Sequence, residues 1–284
     1  MKVHKLALIM SVVCIAASVI LVGVKGLNFG IDFAGGILIE ARMPEAVDVS
    51  LVRELITAEI KDVQIQNVDQ QDLLIRVAKT TEEQSVVVKK IQDILNSNFT
   101  NVEYRKIDYV GPQVGSELIK KGFMALLMSF AFIMIYIWVR FDWQFGLGGI
   151  FALVHDAILT LGFFSLSGLE FNLTSIAAIL TVIGYSINDS VVIYDRIREN
   201  LRRYKKMDLS DLINSSTNST ISRTVLTSSV TLVSLLALML FGGEALHSFS
   251  TATFVGIIIG TYSSIYISAP ILIYLDPRTE EKTK

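Results

Sequence analysis

LTSIAAILTVIGYSINDSVVIY, residues 173–194, decides the class of fold to which this chain belongs. The stretch is long and apolar enough to cross a bilayer as a helix of about 20 residues, yet it contains Asp189. At about 1.5 Å per residue, Asp189 lies roughly 24 Å along the helix from Leu173, in the inner part of a hydrocarbon core about 30 Å thick. Because a carboxylate in hydrocarbon costs a few kcal/mol, such residues usually face a bundle interior or a wet cavity and often carry ions or protons. The alternative is a polar residue that joins helices or lies at the interface.

Five further apolar segments accompany this one, and the composition is typical of an integral membrane protein. Of the 284 residues, 52% are hydrophobic and 18% are charged, with a mean hydropathy of +0.54. Hydropathy predicts six spans, at about residues 5–25, 122–140, 145–166, 172–194, 218–241 and 249–275. The first span is longer than a signal-peptide core and has no clear cleavage site, so we interpret it as an uncleaved anchor.

The distribution of basic residues predicts the orientation of the spans. DRIRENLRRYKK, residues 195–206, carries six Arg and Lys residues, and further basic residues precede span one and follow spans two and six. The loops at 167–172 and 242–249 contain none. The positive-inside rule therefore places both termini in the cytoplasm. The expected organisation is a first transmembrane helix at 1–26, an exterior domain at 27–121, transmembrane helices two to six at 122–275 with a cytoplasmic basic loop at 195–217, and a cytoplasmic tail at 276–284.

The insert between spans one and two has the pattern of a small α+β domain. ILIEARM (37–43) alternates like a strand, and VRELITAEI (52–60) has one apolar helical face. VQIQNVD and DLLIRVA predict two strands joined by a polar turn. A capping box at Thr80 and Glu83 predicts a second helix, and VEYRKIDYV (102–110) completes the series. The order β-α-β-β-α-β predicts a ferredoxin-like module, a fold that hosts many functions.

A second ionisable residue lies in span five. Within residues 216–240, Arg223 belongs to a stripe of hydroxyl residues at three- and four-residue steps that includes Thr220 and Thr227. We expect this stripe to face protein or water. A pair between Asp189 and Arg223 would lower the cost of burying each charge and would open when the carboxylate is protonated. The alternative is ordinary interhelical hydrogen bonding, with Arg223 reaching the cytoplasmic surface.

His155 and Asp156 lie about ten residues into span three and indicate a polar interior. We consider a role in a polar relay for protons, together with Thr220 and Thr227, against the alternative of helix packing. Adjacent residues of a helix point about 100° apart. We therefore expect that these two side chains do not face the same partner.

GIDFAGG, residues 30–36, follows the first span and marks the junction with the exterior domain. Gly30, Gly35 and Gly36 permit the backbone bends that a hinge needs, and Asp32 adds a charge between apolar residues. A plain structural turn is the alternative explanation of this motif.

Several classes of function lack their sequence signals. Cys14 is the single cysteine, so no intramolecular disulfide can form. There is no CxxC, HExxH or paired-histidine pattern for a metal, and no Walker A or GxSxG motif. We therefore expect a protein that is not an enzyme, has no cofactor or metal, and has no nucleic acid among its partners.

Three motifs together resemble the SecF family of membrane proteins, which act with SecD in the bacterial Sec protein-export apparatus. They are GIDFAGG after span one, GYSINDSVVIYDRIREN (184–200) and SRTVLTS (222–228). The resemblance covers essentially the whole chain, although GIDFAGG is shared with SecD and Ala34 stands where many relatives have Thr. It implies a six-span bundle related to the resistance-nodulation-division (RND) exporters, in the bacterial inner membrane. It also implies that Asp189 and Arg223 are the intramembrane functional residues.

The resemblance further implies the partners and the activity. The expected partners are a SecD-like membrane protein, the SecYEG translocon, YajC and a preprotein, and the expected activity is proton-driven movement of preproteins outward. Two rival hypotheses are a passive scaffold subunit of a translocon and half of an RND-type small-molecule exporter. Because an RND-type unit has two six-span halves, we expect that this bundle alone leaves the Asp189 face and the hydroxyl stripe at Thr220–Thr231 against lipid, and that a second chain covers both.

The topology can be tested in the exterior domain. An Asp69→Cys change in a Cys14→Ser background should react with a membrane-impermeant thiol reagent in intact cells, because residue 69 is predicted to lie outside. Reaction only after lysis would contradict this topology.

Overall fold

The computed structural model describes residues 4–60, 63–67, 71–77 and 83–278, and the chain divides into two compact units. One unit comprises Met1–Asn28 and Met124–Lys284, and the other comprises Phe29–Phe123. Two positions singled out in the sequence, Thr80 in the expected capping box and Asp69 in the labelling experiment, lie outside the described residues.

The six predicted spans are present as helices that are long and apolar enough to cross a membrane, which confirms the predicted fold class. The sixth span changes from an α-helix to a π-helical turn and back again. The helices are α1 (His4–Lys25), α5 (Pro112–Arg140), α6 (Trp143–Ser167), α7 (Leu173–Arg203), α8 (Leu209–Phe241) and α9 (Glu244–Ser263), followed by the π-helical turn Ser264–Ser268 and α10 (Ala269–Leu275).

Burial separates three central helices from three peripheral ones. In α6, α7 and the last span, 50%, 50% and 56% of the most apolar stretch is buried inside the chain. The corresponding values for α1, α5 and α8 are 17%, 11% and 17%. A helix that buries polar residues needs protein around it, because lipid offers no hydrogen bonds. The central helices α6 and α7 are also the ones that carry Asp156 and Asp189.

The basic stretch at 195–217 was expected to be a loop, and this expectation is wrong over most of its length. Helix α7 continues to Arg203 and α8 begins at Leu209, so the interruption is short. The Asp208 carboxylate caps α8 by accepting hydrogen bonds from two backbone amides of its first turn. Both helices also bury apolar residues against each other here, namely Ile197, Leu201, Leu212 and Ile213. Hydropathy detects the apolar part of a helix that lies inside the membrane. It does not detect an amphipathic part of the same helix that continues beyond the membrane boundary.

The second unit has the predicted β-α-β-β-α-β order. Its four strands form an antiparallel sheet in the order β3-β4-β2-β5. This places the first and third strands of the module in the centre, as in a ferredoxin-like fold. The elements are β2 (Gly36–Arg42), α3 (Val49–Thr57), β3 (Val63–Asn67), β4 (Asp72–Val77), α4 (Gln84–Asn98) and β5 (Glu103–Val110), preceded by β1 (Asn28–Phe29) and α2 (Ile31–Ala34); a further two-residue strand, β6 (Glu170–Phe171), lies between α6 and α7.

One face of this sheet and the inner faces of α3 and α4 form the core of the unit. The alternation predicted for ILIEARM places Ile37, Ile39 and Ala41 in this core. From the helices, Ile56 and Ile91 meet them and are fully buried. The helical periodicity of the sequence therefore predicted the correct faces.

Glycine brings α7 and α9 together along the spans. A side-chain carbon placed at Gly256 would collide with Val182, and one placed at Gly260 would press on Ser186. The two helices therefore run parallel with their backbones in close approach, as small residues allow in membrane proteins. This close approach brings Ser186 and Ser263 to the same level of the bundle.

We predict that Gly256→Ala lowers the midpoint of thermal unfolding of the purified chain in detergent. The new methyl group would overpack the contact with Val182, whose β-branched side chain has little freedom to move away, and overpacking costs about 1–3 kcal/mol. Gly184→Ala is the matched control on α7, since nothing lies within reach of a methyl group there. Equal midpoints for the two variants would contradict the close packing of α7 and α9.

Candidate functional site

Asp156 is the centre of a buried polar cluster that joins three helices. Its side chain is 0% exposed. The Ser186 hydroxyl of α7 donates to Asp156 Oδ2 at 2.5 Å, and the Ser263 hydroxyl of α9 donates to the same oxygen at 2.7 Å. A carboxylate with several hydrogen-bond donors costs far less to bury than a bare one. Asp156 thus connects α6, α7 and α9 at one point.

His155 completes this cluster through a contact that the sequence did not predict: its Nδ1 lies 2.8 Å from Asp156 Oδ1, and the histidine is 2% exposed. A 100° offset between adjacent residues still lets two side chains of this length bend towards each other. The other ring nitrogen, Nε2, is buried without a hydrogen-bond partner among the described residues. The ring lies beside Tyr262 of α9, with 6.3 Å between centroids.

A second polar layer joins α7 to α8 through side-chain hydrogen bonds between the antiparallel helices. These bonds continue from the middle of the spans to their basic ends. They are Tyr185 Oη to Ser228 Oγ (3.5 Å), Arg196 Nε to Ser219 Oγ (3.1 Å) and Asn200 Nδ2 to Ser216 Oγ (2.8 Å).

Asp189 lies inside this layer, between bonded pairs. Counting four residues along each helix from the Tyr185–Ser228 bond leads to Asp189 on α7 and to Thr224 on α8. Asp189 is 3% exposed, and its Oδ2 has no hydrogen-bond partner among the described residues. The hydroxyls of Ser190 and Thr224 are likewise buried without partners there. This level of the α7–α8 layer therefore holds three buried polar groups without hydrogen-bond partners among the described residues.

Arg223 follows next to Thr224 on α8 and is exposed on the surface of the single chain. It interacts electrostatically with Asp189, although no hydrogen bond or ion pair joins the two side chains among the described residues. The expectation that the isolated bundle leaves Asp189 uncovered is wrong, because the chain itself covers it. The uncovered polar surface is on α8.

The predicted hydroxyl stripe on α8 lies partly on that uncovered surface. Thr220 is half-buried and Thr227 is exposed. Both hydroxyls donate to carbonyls of their own helix, Thr220 to Thr217 at 2.9 Å and Thr227 to Arg223 at 3.0 Å. Such bonds satisfy a hydroxyl within its helix and leave it free to face lipid or protein. Neither threonine joins the Asp156 cluster.

Two buried polar residues were not singled out in the sequence. Tyr194 is fully buried between Phe141 and Phe145, and its hydroxyl accepts a hydrogen bond from Ser268 at 2.5 Å. Gln144, at the start of α6, is 0% exposed and its amide has no hydrogen-bond partner among the described residues. The tyrosine lies five residues after Asp189, about 140° around the helix, so its spacing from Asp189 gave no signal in the sequence.

The π-helical turn in the last span presents serines to the central helices. Ser264 and Ser268 bound this turn and are both buried. Pro270 follows directly and lacks the amide that an α-helical bond would use. Turns of this kind often occur at functional sites. Here the turn places the Ser268 hydroxyl against Tyr194.

The junction motif folds as a short helix with glycine at both ends. Gly30 precedes α2, which contains Asp32, and the chain then passes through Gly35 and Gly36 with φ angles of 73° and 121°. Such angles favour glycine. At Gly115, in the first turns of α5, a side-chain carbon would press on the backbone carbonyls of residues 32 and 33. The motif therefore fixes a turn that packs closely against the start of α5.

Two family models match this chain. The model "Protein export membrane protein SecD/SecF, C-terminal" matches residues 90–278, and the model "SecD/SecF GG Motif" matches residues 20–43. The first covers the α5–α10 region with Asp156, Asp189 and Arg223, and the second covers the junction motif.

Curated relatives match along nearly their whole length. The chain is 53% identical over 286 residues to the protein translocase subunit SecF of Rickettsia bellii, covering 99% of this chain and 94% of the relative. It is 54% identical over 276 residues to SecF of Rickettsia conorii, covering 96% and 90%.

Solved structures of a longer protein also match. The crystal structure of SecDF from Thermus thermophilus, a translocon-associated membrane protein, matches with a TM-score of 0.89 and 36% identity over 98% of this chain. A SecDF structure in a super-membrane-facing form matches with a TM-score of 0.69 and 35% identity over 99% of this chain. In both cases this chain corresponds to 38% of the SecDF chain.

Proposed function

The chain belongs to the SecD/SecF family of protein export membrane proteins, and we propose that it is a SecF-type subunit that uses the proton gradient to drive preprotein translocation. In this proposal Asp189 and Arg223 couple protons to motion of the α+β domain. The chain catalyses no chemical reaction of its own and needs no cofactor. It lies in the bacterial inner membrane with both termini in the cytoplasm.

The observation that carries this proposal is the burial of Asp189 among unpaired polar atoms in a membrane-spanning helix. A stable structural carboxylate would be expected to have its hydrogen bonds made, as those of Asp156 are. Asp189 instead has an oxygen without a partner among the described residues, as do the hydroxyls of Ser190, its neighbour in the sequence, and of Thr224 on α8. An incomplete network of this kind suits a group whose protonation state changes during a cycle.

Arg223 supplies the charge that makes the protonation state of Asp189 matter. While the carboxylate is ionised, the guanidinium attracts it across the α7–α8 contact. When Asp189 takes up a proton, that attraction ends and the carboxyl group gains a donor for a neighbouring hydroxyl. Helices α7 and α8 then favour a different packing. One charge that crosses 100 mV supplies about 2.3 kcal/mol, enough to bias such an equilibrium appreciably.

The uncovered face of α8 supports a second membrane chain as partner. Arg223 and Thr227 would face lipid in a single bundle, and a guanidinium in hydrocarbon is costly. Transporters built from repeated halves hold their ion-coupling sites at the interface between those halves. The matching solved structures are of a longer protein, SecDF, of which this chain corresponds to 38%. We propose a SecD-like protein as the partner on this face, with SecYEG, YajC and the preprotein as further components.

We predict that Asp189→Asn abolishes most of the export that depends on the proton gradient, with the protein inserted at wild-type levels. Asparagine keeps the shape of the side chain but cannot ionise or release a proton. Arg223→Ala should have the same effect through loss of the partner charge. The measurement is translocation of a preprotein into inverted membrane vesicles with and without a proton gradient.

Asp195→Asn is the matched control on the same helix. Asp195 is exposed and bonds to Arg140 at 3.4 Å, so its loss should leave export unchanged, as expected of a surface ion pair. Normal gradient-dependent export by Asp189→Asn would favour the passive scaffold and contradict proton coupling through this residue.

We also predict that Thr227→Cys, in a Cys14→Ser background, crosslinks to a SecD-like chain in native membranes. Phe132→Cys on α5 is the control, because Phe132 is an exposed apolar side chain suited to lipid. Mass spectrometry of the crosslinked band identifies the partner. Absence of a crosslink from Thr227→Cys, or equal crosslinking from both positions, would contradict the assignment of the α8 face.

A further inference from the structure

We infer that His155 and Asp156 form a second proton-binding site in the membrane, separate from Asp189 and hydrogen-bonded through Ser186 to the helix that carries Asp189. The existence of this site follows from geometry alone, whereas its use in transport rests on the proposed function. Its ligand is a proton held by a carboxylate–imidazole pair.

The first argument is the charge of the cluster. Asp156 is 0% exposed and has His155 as its single ion-pair partner among the described residues. With an ionised carboxylate and a neutral imidazole, the pair would place a full negative charge in the centre of a membrane-spanning bundle. One proton shared between the two groups removes that charge, whether it resides on Asp156 or on His155. The pair is therefore built to hold one proton and to release it only when another group compensates.

The second argument is the set of neighbouring groups, none of which supplies a fixed positive charge. From α7 and α9 the cluster receives the hydroxyls of Ser186 and Ser263, which are neutral donors. Tyr262 of α9 lies beside the imidazole, and its own hydroxyl donates to the carbonyl of Ala7 in α1. On α7, Asp189 lies three residues beyond Ser186 in the sequence, and an ionised carboxylate there would add a charge of the same sign as that of Asp156.

The third argument is the position of this pair relative to Asp189. Ser186 bonds directly to Asp156 and lies three residues before Asp189 on α7. Three residues correspond to about 4.5 Å along a helix axis, nearly one turn. Residues three apart lie on the same face of a helix. A change of charge on the pair is therefore felt, through the hydrogen bond of Ser186, within one turn of Asp189 on α7.

The donor set favours a proton over a metal cation. Asp156 Oδ2 accepts two hydroxyl hydrogen bonds, so its lone pairs are directed at donors. Oδ1 faces an imidazole nitrogen, a group that binds protons in the physiological range of pH. Sodium would require these hydroxyls to turn their hydrogens away and would gain nothing from a protonated imidazole.

The test measures protonation directly in the full-length chain, reconstituted with its SecD-like partner in lipid membranes. Infrared difference spectroscopy follows the carboxylic C=O band during a pH titration, and solid-state NMR of nitrogen-labelled histidine follows His155. We expect a titrating signal from the pair, as an Asp156 carboxylic band or a His155 imidazolium signal, that disappears in Asp156→Asn and remains in Asp189→Asn. Absence of any titrating signal from the pair between about pH 4 and 9 would overturn the inference.

The part that Ser186 plays in the site is tested with a matched pair of serine variants. Ser186→Ala should shift the signal of the pair, because it removes a hydrogen-bond donor to the Asp156 carboxylate. Ser165→Ala removes a buried hydroxyl of α6 that bonds to the Leu21 carbonyl and should leave that signal unchanged. Equal signals from the two variants would overturn the assignment of the signal to the Asp156 cluster. A dependence of the signals on sodium at constant ionic strength would overturn the assignment of the ligand as a proton.

Failure of this inference and failure of the proposed function give different results. If the pair does not titrate while Asp189→Asn loses gradient-driven export, the second site is wrong and the proposed function stands. If the pair titrates while Asp189→Asn exports normally, the second site stands and coupling through Asp189 is wrong.

Discussion

The hydrogen bonds to the Asp156 carboxylate are the interaction on which the membrane unit depends. They join three helices at one point inside a bundle where lipid offers no substitute donors. They are possible only because α7 and α9 approach closely at Gly256 and Gly260. Side chains larger than glycine at these positions would move the helices apart and leave a buried carboxylate short of donors, a cost of several kcal/mol.

The polar interior has two parts, which differ in how many of their buried polar atoms have hydrogen-bond partners. Around Asp156, both carboxylate oxygens have partners within hydrogen-bonding distance. Around Asp189, one carboxylate oxygen and the hydroxyls of Ser190 and Thr224 have none among the described residues. A complete network rigidifies its surroundings, whereas an incomplete one gains energy from a rearrangement or a proton. We therefore expect motion at the contact between α7 and α8, while α6, α7 and α9 stay packed together.

Much of this architecture could be predicted from the sequence because the signals are local. Six apolar stretches and the alternating patterns at 37–43 and 52–60 follow directly from periods that one element imposes. The position of Asp156 at a crossing of three helices could not be predicted, since it depends on how neighbouring helices rotate and pack. The same reason explains why Asp189 is covered by its own chain and why Arg223 does not contact it. The sequence did not predict that the helices continue into residues 195–217. Hydropathy indicates which residues can lie in lipid, and it does not indicate where a helix ends.

The central claim is that protons cross the membrane by way of Asp189. The most direct measurement is proton flux into vesicles that contain this chain and its SecD-like partner, driven by an imposed pH gradient and read with an enclosed pH-sensitive dye. The account predicts a flux from the wild-type complex that Asp189→Asn reduces at least about tenfold, equivalent to about 1.4 kcal/mol in the barrier, with Asp195→Asn unchanged. Equal fluxes from the wild-type and Asp189→Asn complexes would contradict it.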